Sequence, residues 1–223
     1  MENQSSGTAV EYESETSHLP WKWLERRAAR AFVLGGVLLV ASALVPIGLA
    51  SVTEWSWASG LVLVGSSVVA IGVGLLGTFP QARDQAPWLA RVGALCATVA
   101  GVAAVGLIGL VGTAVTAAVT LDAALPKPMG VFQVLALAMA SGLALGFVSF
   151  GVARVRTGSS SDTPGRLLVA GGVVLLVPVL GELLRMGIGI GPPPWVVFGA
   201  LGVLALDSLA VGHSFRTASL PSR

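Results

Sequence analysis

Three ionisable side chains lie inside long apolar stretches of this chain, where a charge is costly. Glu182 and Arg185 are three residues apart, so they share one face of a helix, and Asp207 lies on the next apolar stretch. Such a group costs about 2.5–3.5 kcal/mol at the centre of a membrane helix, so it tends to face protein or water. These three residues are therefore the candidates for a polar or transport site.

Each candidate has two interpretations. Glu182 and Arg185 could be a self-neutralised pair near the membrane interface, with Arg185 reaching outward, or a gate or site for an anionic solute. Pro178, one turn before Glu182, frees a backbone carbonyl that could bind a cation or water, or it could kink the helix for packing. Asp207 could donate a structural hydrogen bond to a Ser or Thr on a neighbouring helix, or hold a proton or cation.

Other residue patterns give little support for catalysis. Cys96 is the only cysteine, and the chain has no H-E-x-x-H or G-x-S-x-G motif. Gly72, Gly74 and Gly77 have the spacing of a dinucleotide-binding G-x-G-x-x-G loop, but they lie inside an apolar stretch without the strand that this loop needs. The sequence therefore predicts a protein that is not an enzyme and has no metal or cofactor.

The composition indicates the elements that position these residues. The 223 residues are 54% hydrophobic and 11% charged, with a mean hydropathy of +0.85, whereas a soluble domain carries roughly 25% charged residues. The predicted fold is all-α, a polytopic membrane protein with six transmembrane helices in one bundle. The predicted spans are residues 29–51, 58–78, 89–121, 129–153, 167–186 and 195–214. All six Trp residues fall at span ends, where Trp prefers the headgroup level.

The third span is unusually long. Its uncharged part, from Val92 to Leu121, would make about 45 Å of helix against an apolar bilayer core of about 30 Å. Two crossings would need at least about 34 residues and a turn. We therefore expect one span that tilts, bends or projects past the outer surface.

The basic residues predict the orientation. Alternate threading of the six spans places 11 of the 13 Lys and Arg residues on one side and leaves Lys127 and Arg185 for the other. Because excess Lys and Arg in short loops marks the cytoplasmic side, both termini are predicted to be cytoplasmic, in the cell membrane. Residues 1–19 are polar and acidic and are predicted to be a disordered tail, with a second short tail at 217–223.

Small residues at helical spacing predict the helix contacts, because they let backbones approach closely. We expect the interior of the bundle to contain three such stripes, with Leu143 and Leu145 facing lipid. The stripes are Ser66, Ala70 and Gly74; Gly106, Gly109 and Gly112; and Ala138, Gly142 and Gly146.

Two functions fit these features. The favoured one is an accessory or structural membrane component that acts by helix–helix contacts; the alternative is a small transporter or channel using Glu182, Arg185 and Asp207. Residues 30–39 match residues 166–175 at six of ten positions, 136 residues apart, and repeated hairpins are common in transporters. The expected partners are the lipid bilayer and a membrane protein or a second copy in a homo-oligomer. Nucleic acid is not expected, because the basic residues are spread over separate inner segments.

Overall fold

The computed structural model describes residues 19–49, 56–121, 129–156, 163–189 and 191–218. Within these ranges the chain forms seven helices. They are α1 (Leu19–Leu49), α2 (Ser56–Gly77), α3 (Phe79–Gln85), α4 (Pro87–Leu121), α5 (Met129–Val155), α6 (Thr163–Ile188) and α7 (Pro194–Ala218). All but α3 are long and apolar enough to cross a membrane, and each overlaps one predicted span. The all-helical six-span fold is thus confirmed. The predicted tail at residues 1–18 and the end of the second tail lie outside the described residues.

The six long helices form a closed ring of three antiparallel hairpins. Each long helix packs against the next one along the chain, and α7 closes the ring against α1. The hairpins are α1 with α2, α4 with α5, and α6 with α7. We call the end of the ring that carries α3 the inner end, and the opposite end the outer end.

The centre of the ring is filled by apolar side chains. One connected cluster of buried residues draws members from all six long helices. Phe32 of α1 meets the ring of Phe147 of α5 edge-on, with centroids 6.3 Å apart, and stacks on Phe215 of α7 at 5.9 Å. Such aromatic pairs add to the stabilisation that burial alone provides. The described part of the ring therefore has a packed core.

The first and third hairpins have the same register. A Cβ built on Gly35 of α1 would overlap Cγ1 of Ile71 of α2, so these helices touch backbone to side chain. A Cβ built on Gly171 of α6 would likewise overlap Oδ2 of Asp207 of α7. Both members of the second contact lie 136 residues after those of the first. This equivalence supports the repeat that the sequence suggests.

The second hairpin follows the same register at half that offset. A Cβ on Gly74 would lie 2.9 Å from Cδ2 of Phe32 in the first hairpin, and a Cβ on Gly142 would lie 3.2 Å from Cβ of Ala100 in the second. Both members shift by 68 residues. The ring therefore consists of three hairpins of matching internal geometry.

Helix α4 accommodates its extra length by extending past its partner. It is a single helix of 35 residues, or about 52 Å. Because α5 runs antiparallel to α4 with Gly142 beside Ala100, Met129 at the start of α5 is level with Thr113. The last eight residues of α4 therefore project beyond the first turn of α5, which favours projection among the three expected solutions.

The short helix α3 was not expected from the sequence. It connects α2 to α4 at the inner end and buries Ala82 against the bundle. Pro80 lies in its first turn, where a missing backbone N–H costs nothing. Seven residues are too few to show a helical period, which is why the sequence analysis assigned this stretch to a loop.

Candidate functional site

Asp207 lies deep in the contact between α6 and α7. Its side chain is only 8% exposed, and its carboxyl group lies directly on the backbone of Gly171. The edge of the Phe147 ring borders the same space, since Cδ1 of Phe147 would lie 3.3 Å from a Cβ on Gly171. Any side chain at position 171 would displace the carboxyl group, so this arrangement depends on glycine.

The Oδ2 atom of Asp207 is buried and has no hydrogen-bond partner among the residues that the structure describes. The hydroxyl of Ser208, the next residue, is also buried and also lacks a hydrogen-bond partner there. The structural interpretation of Asp207 expected a hydrogen bond to Ser or Thr on a neighbouring helix. The described side chains do not supply this bond to Oδ2, which makes Asp207 the most unusual polar residue of the bundle.

Glu182 forms a different contact near the outer end. Its Oε1 accepts hydrogen bonds from Nη2 of Arg185 at 2.7 Å and from Nε2 of Gln133 on α5 at 3.2 Å. The Glu182 side chain is 26% exposed and that of Arg185 is 49% exposed. The cluster therefore joins α5 to α6 at the edge of the bundle.

Gln133 is the member of this cluster that the sequence analysis missed. The search was for ionisable groups, and an amide does not titrate. A signal was nevertheless present, because Gln133 is a polar residue four positions into the predicted fourth span. Buried polar side chains in membrane helices commonly bond across helices.

The chain after α6 folds back over the same cluster. Gly189 has a φ of 77°, a left-handed conformation that favours glycine, and its N–H donates to the carbonyl of Arg185 at 3.0 Å. A Cβ on Gly191 would lie 2.6 Å from Cδ of Arg185, and Cγ of Pro192 would lie 2.7 Å from a Cβ on Gly181. This return fixes the stem of Arg185 while its guanidinium group reaches Glu182.

The structure does not bring Asp207 together with the outer cluster. Gly171, which marks the level of Asp207, lies eleven residues before Glu182 on α6, or about 16 Å. Pro178 lies between these levels, and α6 continues through it to Ile188. The two main surface depressions of the described residues are apolar and lie along α4, away from both groups.

Two of the three small-residue stripes have members in helix contacts. A Cβ on Gly142 would lie 2.8 Å from the carbonyl oxygen of Cys96, and a Cβ on Gly146 would lie 3.4 Å from Cδ1 of Leu75. Gly74 is buried against Phe32. Ser66, Ala70 and Ala138 are half-buried. Leu143 differs from expectation, because it is 1% exposed and belongs to the core, whereas Leu145 is 47% exposed.

The stripe on α4 lies on the opposite side from the one expected. Gly109 and Gly112 have no neighbouring atom within 4 Å of a built Cβ, and Gly106 only approaches Leu135 at 3.5 Å. The interior face of α4 is lined instead by Ala100, Ala104 and Leu107. Because alanine already permits close approach there, the glycines are left on the outside of the ring.

The hydroxyls on this outer part of α4 bond to their own helix. Thr113 donates to the carbonyl of Leu110 at 2.9 Å, Thr116 to that of Gly112 at 2.9 Å, and Thr120 to that of Thr116 at 2.8 Å. These side chains therefore need no water or charged partner. The surface they form is small, nearly flat and compatible with an apolar neighbour.

No metal-binding group is found in the described ranges, since no three His, Cys, Asp or Glu residues there lie close enough to hold an ion. Comparisons of the chain with protein-family models, with curated proteins and with solved structures found no match. Functional inference must therefore start from the residues and contacts of this chain itself.

Proposed function

We propose that this multi-pass membrane protein is a non-enzymatic component that acts by helix–helix contact with another membrane protein or with a second copy of itself. Six apolar helices support membrane insertion. The packed centre of the ring and the separation of Glu182 from Asp207 argue against a shared polar route. Contact with a partner is then the property that the exposed helix faces support best.

The observation that carries this proposal is a change of character along the outward face of α4. Towards the inner end this face is bulky, with Leu95, Val102 and Val105 all at least 60% exposed. Towards the outer end it becomes the small-residue face, which we define as Gly109, Gly112, Thr113, Thr116, Ala117 and Thr120. Bulky aliphatic side chains suit lipid, whereas small residues let a second helix approach closely. The outer half of α4 therefore has the surface of a helix contact.

A photo-crosslinking side chain placed at Thr116 tests the proposal in native membranes. We expect it to capture one protein adduct of defined mass, and the same side chain at Val102 to capture lipid. An adduct of twice the chain's mass would identify a homo-oligomer. Capture of lipid alone at both positions would contradict the contact function, because the two faces would then be equivalent.

Transport is the second candidate, and the unpartnered Oδ2 of Asp207 is the observation that favours it. In this alternative, Asp207 carries a proton or cation, and Glu182, Arg185 and Pro178 form the outer part of the route. Liposomes containing the purified protein and an internal pH-sensitive dye separate the two functions. The contact function predicts the proton leak of protein-free liposomes. A faster leak that disappears in Asp207→Asn would replace it with transport.

A further inference from the structure

Asp207 occupies a position that packing alone would give to an apolar residue. The equivalent contact in the first hairpin is filled by Ile71, which is fully buried against Gly35. The third hairpin has the same glycine, the same register and the same antiparallel pairing, but an acid instead of the isoleucine. Because a hydrocarbon side chain satisfies this contact, the carboxyl group contributes something other than packing.

No charged group neutralises this carboxyl within the part of the chain that the structure describes, since Oδ2 has no partner. The nearest basic groups on the surrounding helices lie towards the inner end. Arg154 of α5 places its guanidinium carbon 4.8 Å from the centre of the Phe215 ring. The others are exposed: Arg166 on α6, His213 and Arg216 on α7, and Arg27 and Arg30 on α1.

The surroundings of Oδ2 fit a proton better than a metal ion. Metal ions such as Ca²⁺ and Mg²⁺ need six or so oxygen ligands, roughly, in a shell around the ion. Here the carboxyl group lies against Gly171 and beside the ring of Phe147, and neither side chain offers an oxygen. A proton needs one oxygen atom and no additional space. An unpaired carboxylate in so apolar a setting would also be costly.

We propose that Asp207 is a proton-binding site within the α6–α7 contact, and that gain or loss of this proton controls whether the two helices stay packed at Gly171. The reaction is the reversible addition of one proton to the carboxylate, with no other bond formed or broken. The neutral carboxyl fits the packed contact. The carboxylate requires water, which reaches Oδ2 only if α6 and α7 separate. The site goes beyond the proposed partner contact, which lies on α4.

The site has a short path to the inner end. Gly171, at the level of Asp207, is five residues beyond the exposed Arg166, or about 7.5 Å along α6. Separation of the inner halves of α6 and α7 would therefore connect the carboxyl group to water on that side. The outer halves, held by the return of Pro192 onto Gly181, need not move.

Infrared difference spectroscopy of the full chain in lipid tests proton binding. The protein is labelled with ¹³C at the aspartate carboxyl carbons, and pH is stepped from acidic to alkaline. We expect the C=O stretching band of a protonated aspartic acid at acidic pH, its loss at alkaline pH, and its absence from Asp207→Asn. The label separates Asp207 from the glutamates, including Glu182. A wild-type spectrum identical to that of Asp207→Asn at every pH would overturn the proposal.

A distance measurement tests the conformational part. Spin labels are placed at the exposed residues Val173 of α6 and Leu206 of α7, in Cys96→Ala protein. We expect the distance between them to lengthen as pH rises, and to stay constant in Asp207→Asn and in Asp207→Ile, which copies the first hairpin. A distance that ignores pH in the wild-type protein would overturn the switch. Failure of Asp207→Ile to fold would overturn the equivalence with Ile71 on which the inference rests.

Discussion

At the scale of single residues, Glu182 shows how spacing predicts one bond of a cluster and misses another. The three-residue spacing from Glu182 to Arg185 places both on one helix face, and their ion pair is present. The bond from Gln133 comes from a different helix, so no local spacing could reveal it. The same reason hides the contact of Asp207 with Gly171. Local pairs can be derived from the sequence, but contacts between helices depend on register, which only the folded bundle defines.

The bond between Gln133 and Glu182 can be measured by a double-mutant cycle with Gln133→Leu and Glu182→Gln. Interhelical hydrogen bonds in membranes average about 0.6 kcal/mol of coupling and reach about 1.7 kcal/mol. We expect a coupling in this range, because the cluster is only partly exposed. The free energy of unfolding in bicelles is the quantity to compare. Additive effects of the two substitutions would show that the bond is not made in the bilayer.

At the scale of helices, apolar length predicts the six spans well, because a bilayer demands about 20 apolar residues whatever the neighbours are. The face that each helix buries is less predictable. Helix α4 carries small residues on both sides, with Ala100 and Ala104 inside and Gly109 and Gly112 outside. Residue size alone cannot decide between these faces, since both permit close approach. Selecting the inner face requires the positions of α2 and α5.

Two glycine substitutions separate these faces experimentally. Gly142→Leu should destabilise the fold by at least the roughly 1–3 kcal/mol that overpacking costs, because a Cβ there would lie 2.8 Å from the backbone carbonyl of Cys96. Gly112→Leu should leave folding stability nearly unchanged, since nothing lies within 4 Å of a Cβ at that position. Leu145→Ala, on an exposed side chain, serves as the control for truncation.

Unfolding free energies of these three variants in the same detergent provide the comparison. Equal losses for Gly142→Leu and Gly112→Leu would contradict the assignment of the two faces. Under the proposed function, Gly112→Leu should also weaken the crosslink formed from Thr116, although its fold is intact. This second measurement separates a loss of partner contact from a loss of stability.

At the scale of the whole molecule, the ring closes through two reciprocal glycine contacts between its first and last helices. A Cβ on Gly36 of α1 would lie 2.9 Å from the carbonyl oxygen of Ala205, and a Cβ on Gly212 of α7 would lie 2.8 Å from that of Ala29. Neither contact is visible in the sequence, because the residues are far apart along the chain. Similarity between the first and third hairpins suggests related units, but it does not show which helices close the ring.

Ring closure can be tested with Gly212→Leu. The added side chain meets backbone that cannot yield, so α7 should move away from α1 while the α1–α2 hairpin keeps its register. Spin labels at the exposed residues Leu34 and Leu206 should report a longer distance. The matched control is Gly202→Leu, on the same helix but with nothing within 4 Å of a built Cβ. An unchanged distance in Gly212→Leu would argue against closure at this contact.

Orientation in the membrane remains a prediction from charge, and it too belongs to the whole molecule. With 11 of 13 basic residues on one side, the electrostatic preference of Lys and Arg for the cytoplasmic face should place α3 inside and the turns of the three hairpins outside. In Cys96→Ala protein, cysteines introduced at Thr53 and Ala124 should then react with an impermeant thiol reagent added to intact cells. A cysteine at Gln85, which is exposed on α3, should react only after the membrane is opened. The reverse pattern would invert the topology and place the short path from Asp207 on the outer side of the cell.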